Sequence, residues 1–172
     1  MSKTPVLPRD TVLHVRDHCL CLHARRAARA LARHFDHAFL PLEITNGQFS
    51  LMMALNQPEP PRIGRLAEFL AMDRTSLTAA LKPLERRGLI EVIPDPGDRR
   101  GRVIRLTRAG RGLLARAVPV WKRAHAEVDA HLVVGGPTTL RDHLNVLARL
   151  PMEPDPAPAR PPARSRTVRR TR

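Results

Sequence analysis

The sequence predicts a mainly α-helical fold carrying one small β-hairpin. Three observations lead there. Apolar residues recur at spacings of three and four through most of the chain, the period of helices with one buried face. One stretch, 89–106, is instead β-branched around Pro94-Asp95-Pro96-Gly97-Asp98, the composition of two strands and their connection. Just before it, a short helical pattern and a longer one are separated by a tight turn at Ala71-Met72. Short helix, turn, longer helix and hairpin together make a winged helix-turn-helix.

Each element has its own signal. Residues 1–9 are a polar lead with two prolines, and a long helical pattern follows, with Leu20, Ala24, Ala27, Ala28, Leu31, Phe35, Phe39 and Leu42 on one face. Arg25, Arg29 and Arg33 form a separate basic row along it. Thr45 and Gln48 stand three apart, the spacing of a capping box, and open a second helix through Phe49, Met52, Met53 and Leu55. Pro58, Pro60 and Pro61 end it, because proline lacks the amide donor and restricts its predecessor. A short helix is expected over 63–70, inner side Ile63, Leu66, Ala67 and Leu70. Asp73 caps the next, over 74–87, whose inner stripe is Leu77, Ala80, Leu81 and Leu84. Gly88 sits where a helix commonly ends left-handed, and Pro83 predicts a kink. Strands follow over 89–93 and 103–106, joined by a long cationic tip containing Arg99, Arg100 and Arg102. Thr107 caps a long helix over 108–132, and a last one covers 138–150.

Charge narrows the function. Lys and Arg number 30 against 16 Asp and Glu, a formal net charge of +14. Such a surplus repels itself in a compact chain and suits a polyanionic partner. A membrane partner is not expected, since no apolar run approaches the roughly 20 residues that span a bilayer. The N-terminus has no basic-then-apolar leader, so a cytoplasmic location is expected. Aromatic residues are 3% of the chain and there is no Tyr, which disfavours the stacking platforms of single-strand binders and favours double-stranded DNA, either read in its grooves or bound without sequence choice as by a nucleoid-like protein. No Gly-rich phosphate loop, nucleophile elbow, paired-acid motif or zinc spacing is present, so no enzymatic activity, cofactor or metal is expected.

The candidate DNA-contacting residues follow from this layout. The second helix of the pair enters the major groove and reads base edges from its N-terminal end, which must be small and polar. Here Arg74, Thr75, Ser76 and Thr78 offer donors and acceptors while Leu77 turns inward, and Lys82 lies one turn further on the same side. In the hairpin, residues two apart project to one side, so Asp98 can pair with Arg100. A carboxylate beside phosphates is unfavourable by itself, but as a brace it fixes a guanidinium for the narrow minor groove. Arg99 and Arg102 then face the phosphates.

Several blocks in one order resemble the multiple antibiotic resistance regulator (MarR) family. They are Leu66-Ala67, Asp73-Arg74-Thr75-Ser76-Leu77-Thr78, Leu84-Glu85-Arg86-Arg87-Gly88-Leu89-Ile90, Asp95-Pro96-Gly97-Asp98-Arg99-Arg100 and Leu106-Thr107-Arg108-Ala109-Gly110. The resemblance runs from about residue 18 to 150. It implies a homodimer joined by its first and last helices on a pseudo-palindromic operator. Many members are repressors released by small aromatic or phenolic effectors, and some sense oxidants or metals. The expected organisation is a lead over 1–9, a regulator domain over 10–150 and a tail over 151–172 that is rich in proline and arginine, has almost nothing to bury and is expected to be disordered. Within the domain, 45–107 would be the DNA-binding lobe, with dimerisation helices over 10–42 and 108–150.

Two cysteines and two histidine pairs lie outside this scheme. Cys21 falls where oxidant-sensing relatives carry a reactive cysteine. In those relatives two tyrosines bond the thiolate, and the matching positions here are Phe35 and Asn46. Cys19 and Cys21, two apart on a helix, would point about 200° away from each other and cannot readily share a metal. His14 with His18, and His34 with His37, have helical spacings but no accompanying ligand cluster, so a structural or solvated role is the expectation.

Overall fold

The computed structural model describes residues 6–95 and 97–150, and of Arg99 and Arg100 the backbone alone. The tail over 151–172 lies outside the described residues. The order is α1 (Arg9–His18), α2 (Leu20–Phe39), a 3-10 turn (Leu40–Leu42), α3 (Asn46–Leu55), α4 (Ile63–Phe69), α5 (Arg74–Arg86), β1 (Ile90–Asp95), β2 (Asp98–Leu106), α6 (Arg108–Ala130) and α7 (Gly136–Leu147). The predicted class, mainly helical with a two-stranded antiparallel wing, is the one observed.

One core joins the helix-turn-helix, the strands and the long helices. Phe39, Met52, Leu66, Leu77, Leu84, Ile90 and Ile104 are its largest fully covered side chains. α2 packs on α6, α3 lies against both, and α4, α5 and the hairpin extend the same cluster. His34 crosses the α2–α6 seam, its Nε2 donating to the Ala124 carbonyl at 3.1 Å.

The caps read from sequence are present. Thr45 Oγ1 accepts from the Gln48 N–H, and Gln48 Oε1 accepts from the Thr45 N–H, a complete capping box. Asp73 accepts from the Ser76 N–H at 2.8 Å, and Thr107 Oγ1 accepts from the Gly110 N–H at 3.0 Å. Gly88 adopts φ 65°, the left-handed stop after α5. Pro83 sits inside α5 without ending it. Its missing N–H leaves the Ala79 carbonyl, on an exposed residue, to water, while Leu81 and Leu84 on either side are buried.

Several boundaries differ from expectation, three of them with a clear physical reason. The first helical pattern breaks at Cys19, whose backbone is extended (φ −74°, ψ 101°) and whose Sγ accepts the Leu22 N–H to start a new helix. Periodicity could not show this, because α1 buries nothing within the protomer and its apolar pattern carries no constraint there. The helix through Leu55 stops at Asn56, ahead of the prolines. The wing departs furthest: Arg99, Arg100 and Arg102 lie in β2, which begins at Asp98, rather than in a long tip. Antiparallel pairing runs from Ile90↔Leu106 to Pro94↔Arg102, then shifts register so that Asp95 faces Asp98. Proline cannot donate to a ladder, yet Pro94 is accommodated because it stands at that shift.

Candidate nucleic-acid interface

α5 presents a polar surface at its N-terminal half. Arg74, Thr75, Thr78, Ala79 and Lys82 line one shallow depression, and all five are exposed. The spacing explains the grouping: positions 74, 75, 78, 79 and 82 fall on one side of a helix, opposite the buried Leu77, Leu81 and Leu84. Four of the five residues chosen from sequence on this helix are thus brought together. Ser76 is also exposed but stands outside this depression, and its N–H donates to the Asp73 carboxylate at 2.8 Å. Hydrogen bonding from Ser76 holds Asp73 below the usual carboxylate range. Thr78 donates its hydroxyl to the Arg74 carbonyl at 2.7 Å, leaving an oxygen that can only accept from a ligand. The Arg74 guanidinium lies over Gly64 of α4, 3.2 Å from where a Cβ would stand.

The wing is the second cationic element. Arg102 is exposed, stands opposite Pro94 in the ladder and donates to the Gly101 carbonyl at 3.0 Å. Arg105 pairs with Glu91 across the strands at 2.8 Å. The expected Asp98–Arg100 pairing involves a side chain outside the described ones, as does the Arg99 contact. Asp98 has a further neighbour the sequence reading missed: Arg62, at 4.0 Å, which also donates to Asp95. Sequence distance hid it, since 33 residues separate Arg62 from Asp95. The only local signal was an arginine at the start of a helix, where a capping oxygen is usual.

A separate apolar cavity of about 480 Å³ lies between α3, α4 and α6, lined by Phe49, Met53, Phe69, Leu70, Val118 and Trp121, with Ser50 and Gln57 as its polar residues. Cys21 is exposed on α2 and Cys19 is half-buried. Rings of His14 and His18 stack at 4.2 Å, and among the described residues no group of three or more His, Cys, Asp or Glu side chains converges as metal ligands would. Among the described residues no helix is long and apolar enough to cross a membrane.

A helix pair braced on a shared core, a polar exposed face on its second helix and a basic two-stranded wing define a winged helix-turn-helix protein of the transcription-regulator class. The MarR family model matches residues 44–101, from just before α3 into the first part of β2. MosR, a transcriptional regulator of M. tuberculosis solved in complex with DNA, is 36% identical with a TM-score of 0.69, covering 76% of this chain and 94% of that one. The transcriptional repressor NicR of Pseudomonas putida is 31% identical over 94 residues, 53% of this chain and 60% of NicR. The transcriptional activatory protein BadR of Rhodopseudomonas palustris is 35% identical over 71 residues, 40% of this chain and 41% of BadR. The matched segments thus span less than two thirds of either curated relative. The chain belongs to the MarR family of winged helix-turn-helix transcription regulators.

Proposed function

We propose that this chain is a homodimeric repressor that binds a pseudo-palindromic operator in duplex DNA and is released by a small aromatic or phenolic effector. The observation that carries the DNA reading is the exposed face of Arg74, Thr75, Thr78 and Lys82 at the start of α5, opposite that helix's buried stripe. Its donors and acceptors suit base edges, and the arginines of the wing, Arg99, Arg100 and Arg102, suit the neighbouring minor groove and phosphates. Ser76 acts by holding the cap, and Asp98 by bracing the wing.

The dimer reading rests on α1 and α7, neither of which buries a residue in the protomer. Leu140, Leu144 and Leu147 form an exposed stripe at spacings of four and three on α7, and Val12 and Val15 form another on α1. A second protomer covers these faces and sets two copies of α5 at successive turns of the duplex. The effector reading rests on the cavity beside Trp121, which spans the lobe that carries α5 and the helix α6. A flat apolar ligand there, with one polar group toward Gln57 or Ser50, biases the angle between the two.

The deciding experiment recovers the DNA bound by the protein in cells, then measures affinity for that fragment and for random duplex across a salt series. A specific regulator keeps a ratio of at least about 10³ at physiological salt. Equal affinities for both would sink the reading. A reporter driven by the recovered promoter gives the direction of regulation, where repression is the expected result.

A further inference from the structure

Arg62 opens α4 from an extended backbone (φ −70°, ψ 149°) and contributes no side-chain cap. Its guanidinium turns instead toward the wing. Nε donates to Asp95 Oδ2 at 2.5 Å, and Nη1 lies 4.0 Å from Asp98 Oδ2. The backbone follows the same direction, with Arg62 bridged to Val103 and the Ile104 N–H donating to the Pro61 carbonyl at 3.2 Å. Residues 61 and 62 therefore lie as a minimal third strand on the edge of β2 that β1 leaves open.

Asp95 is the far end of this link. Its side chain is 10% exposed against 53% for Arg62, so the carboxylate is the covered member of the pair. Oδ1 accepts the Gly97 N–H at 2.9 Å, which makes the same side chain both turn cap and anchor. Gly101 leaves the space: a Cβ there would stand 3.0 Å from the Asp95 Cβ and 3.3 Å from Oδ2. A two-stranded hairpin is marginal by itself in water, so the outer end of this wing depends on such anchors for a fixed position.

We infer that Arg62 is a positioning residue for DNA binding, clamping the tip of the wing through Asp95 to the start of α4. The inference rests on the DNA-binding reading above. Helix pair and wing then approach the duplex as one preset body, and the ordering cost of a loose wing is avoided on binding. Arginine suits the position because its planar fork stays charged and spans two carboxylates, where a lysine offers a single point charge.

The competing role for an exposed arginine beside a DNA-binding wing is direct phosphate contact, and the two roles differ in salt dependence and in coupling. The full chain is compared with Arg62→Ala, Arg62→Lys, Asp95→Asn and the Arg62→Ala/Asp95→Asn double variant, on the recovered operator across a salt series. Amide hydrogen exchange over 97–103 is followed without DNA. Arg62→Ala should weaken operator binding on the order of 10-fold through lost preorganisation, with the slope of log affinity against log salt unchanged. Arg62→Lys should recover part of the loss. The double variant should be no weaker than the poorer single one, and wing amides should exchange faster in Arg62→Ala. A slope reduced by about one, with additive losses, would make Arg62 a phosphate ligand and overturn the clamp. Unchanged affinity in a variant of a specifically binding wild type would overturn it too, as would unchanged exchange. Failure of the wild type to prefer its operator counts against the DNA reading instead, and exchange in the free protein still decides whether the clamp exists.

Discussion

Gly110 lies against the carbonyl of Leu89 so closely that a Cβ at position 110 would stand 2.0 Å from that oxygen. Around this contact the end of β2 and the start of α6 are tied to the start of β1. The Thr107 N–H donates to the Leu89 carbonyl at 3.0 Å, and the Thr107 hydroxyl donates to the Gly88 carbonyl at 2.7 Å. The two atoms nearest that Cβ position are thus backbone, which cannot swing aside as the end of a side chain could.

Gly110→Ala should therefore destabilise the fold by roughly 3 kcal/mol, the upper end for overpacking, despite alanine's better helix propensity. Gly112→Ala is the matched control. Gly112 is exposed in the same helix with nothing within 4 Å of a Cβ, so alanine there should add about 0.5–1 kcal/mol. Urea unfolding followed by circular dichroism separates the two. Equal effects in the two variants would remove the close approach as the cause.

Asp73 links stability to pH. Its carboxylate caps α5 and is held below its ordinary value of 3.8, first by the Ser76 hydroxyl and then by the Ser76 N–H. The folded-state value is the lower one, so the native state favours the charged form. This contribution is fully present above the unfolded value and is lost as pH falls through the folded one. The stability gap between wild type and Asp73→Ala should be constant near neutrality and close progressively below the ordinary carboxylate range. Thermal midpoints between pH 7 and 2 check it, and a gap that persisted at the acid end would mean the cap acts without charge.

How much was legible in the sequence depended on whether the deciding contact was local. The capping box at Thr45, the cap at Asp73 and the stop at Gly88 are each written within four residues, and each is found. The exposed face of α5 follows from helical period alone, which is why Arg74, Thr75, Thr78 and Lys82 group as expected. Ser76 lies beside that group, and its N–H is engaged by the Asp73 cap, a pairing that is also written within three residues. The reach of β2 down to Asp98 was hidden because Arg99, Arg100 and Gly101 lack the β-branched signature of a strand, while pairing with β1 sets its length. Arg62 could not be read at all, since its partners lie across the fold.

The wing carries the next prediction. Arg100→Ala should lose about 1–3 kcal/mol of operator binding, as expected of an ordered groove contact. Asp98→Ala should also weaken binding although it removes a negative charge, because the carboxylate lies within 4.0 Å of Arg62 and serves the order of the wing. Titration of labelled operator at constant salt checks both. Tighter binding by Asp98→Ala would show simple repulsion of phosphate, and unaltered binding by Arg100→Ala would remove the minor-groove contact.

The apolar stripe on α7 tests the assembly. Leu144 is exposed in the protomer between Leu140 and Leu147, so a charge there costs little in an isolated chain. In a dimer that covers the stripe, Leu144→Glu would bury an unpaired carboxylate, which is strongly unfavourable. Sedimentation equilibrium should therefore find wild type as a dimer and Leu144→Glu as a monomer at micromolar concentration, with the same far-ultraviolet circular dichroism per residue. Operator affinity should fall by at least about 100-fold, since two linked half-site contacts become separate events. Half-site affinity should be unchanged, because α5 and the wing are untouched by the substitution. A dimer that survived Leu144→Glu would place the interface on another face of the molecule.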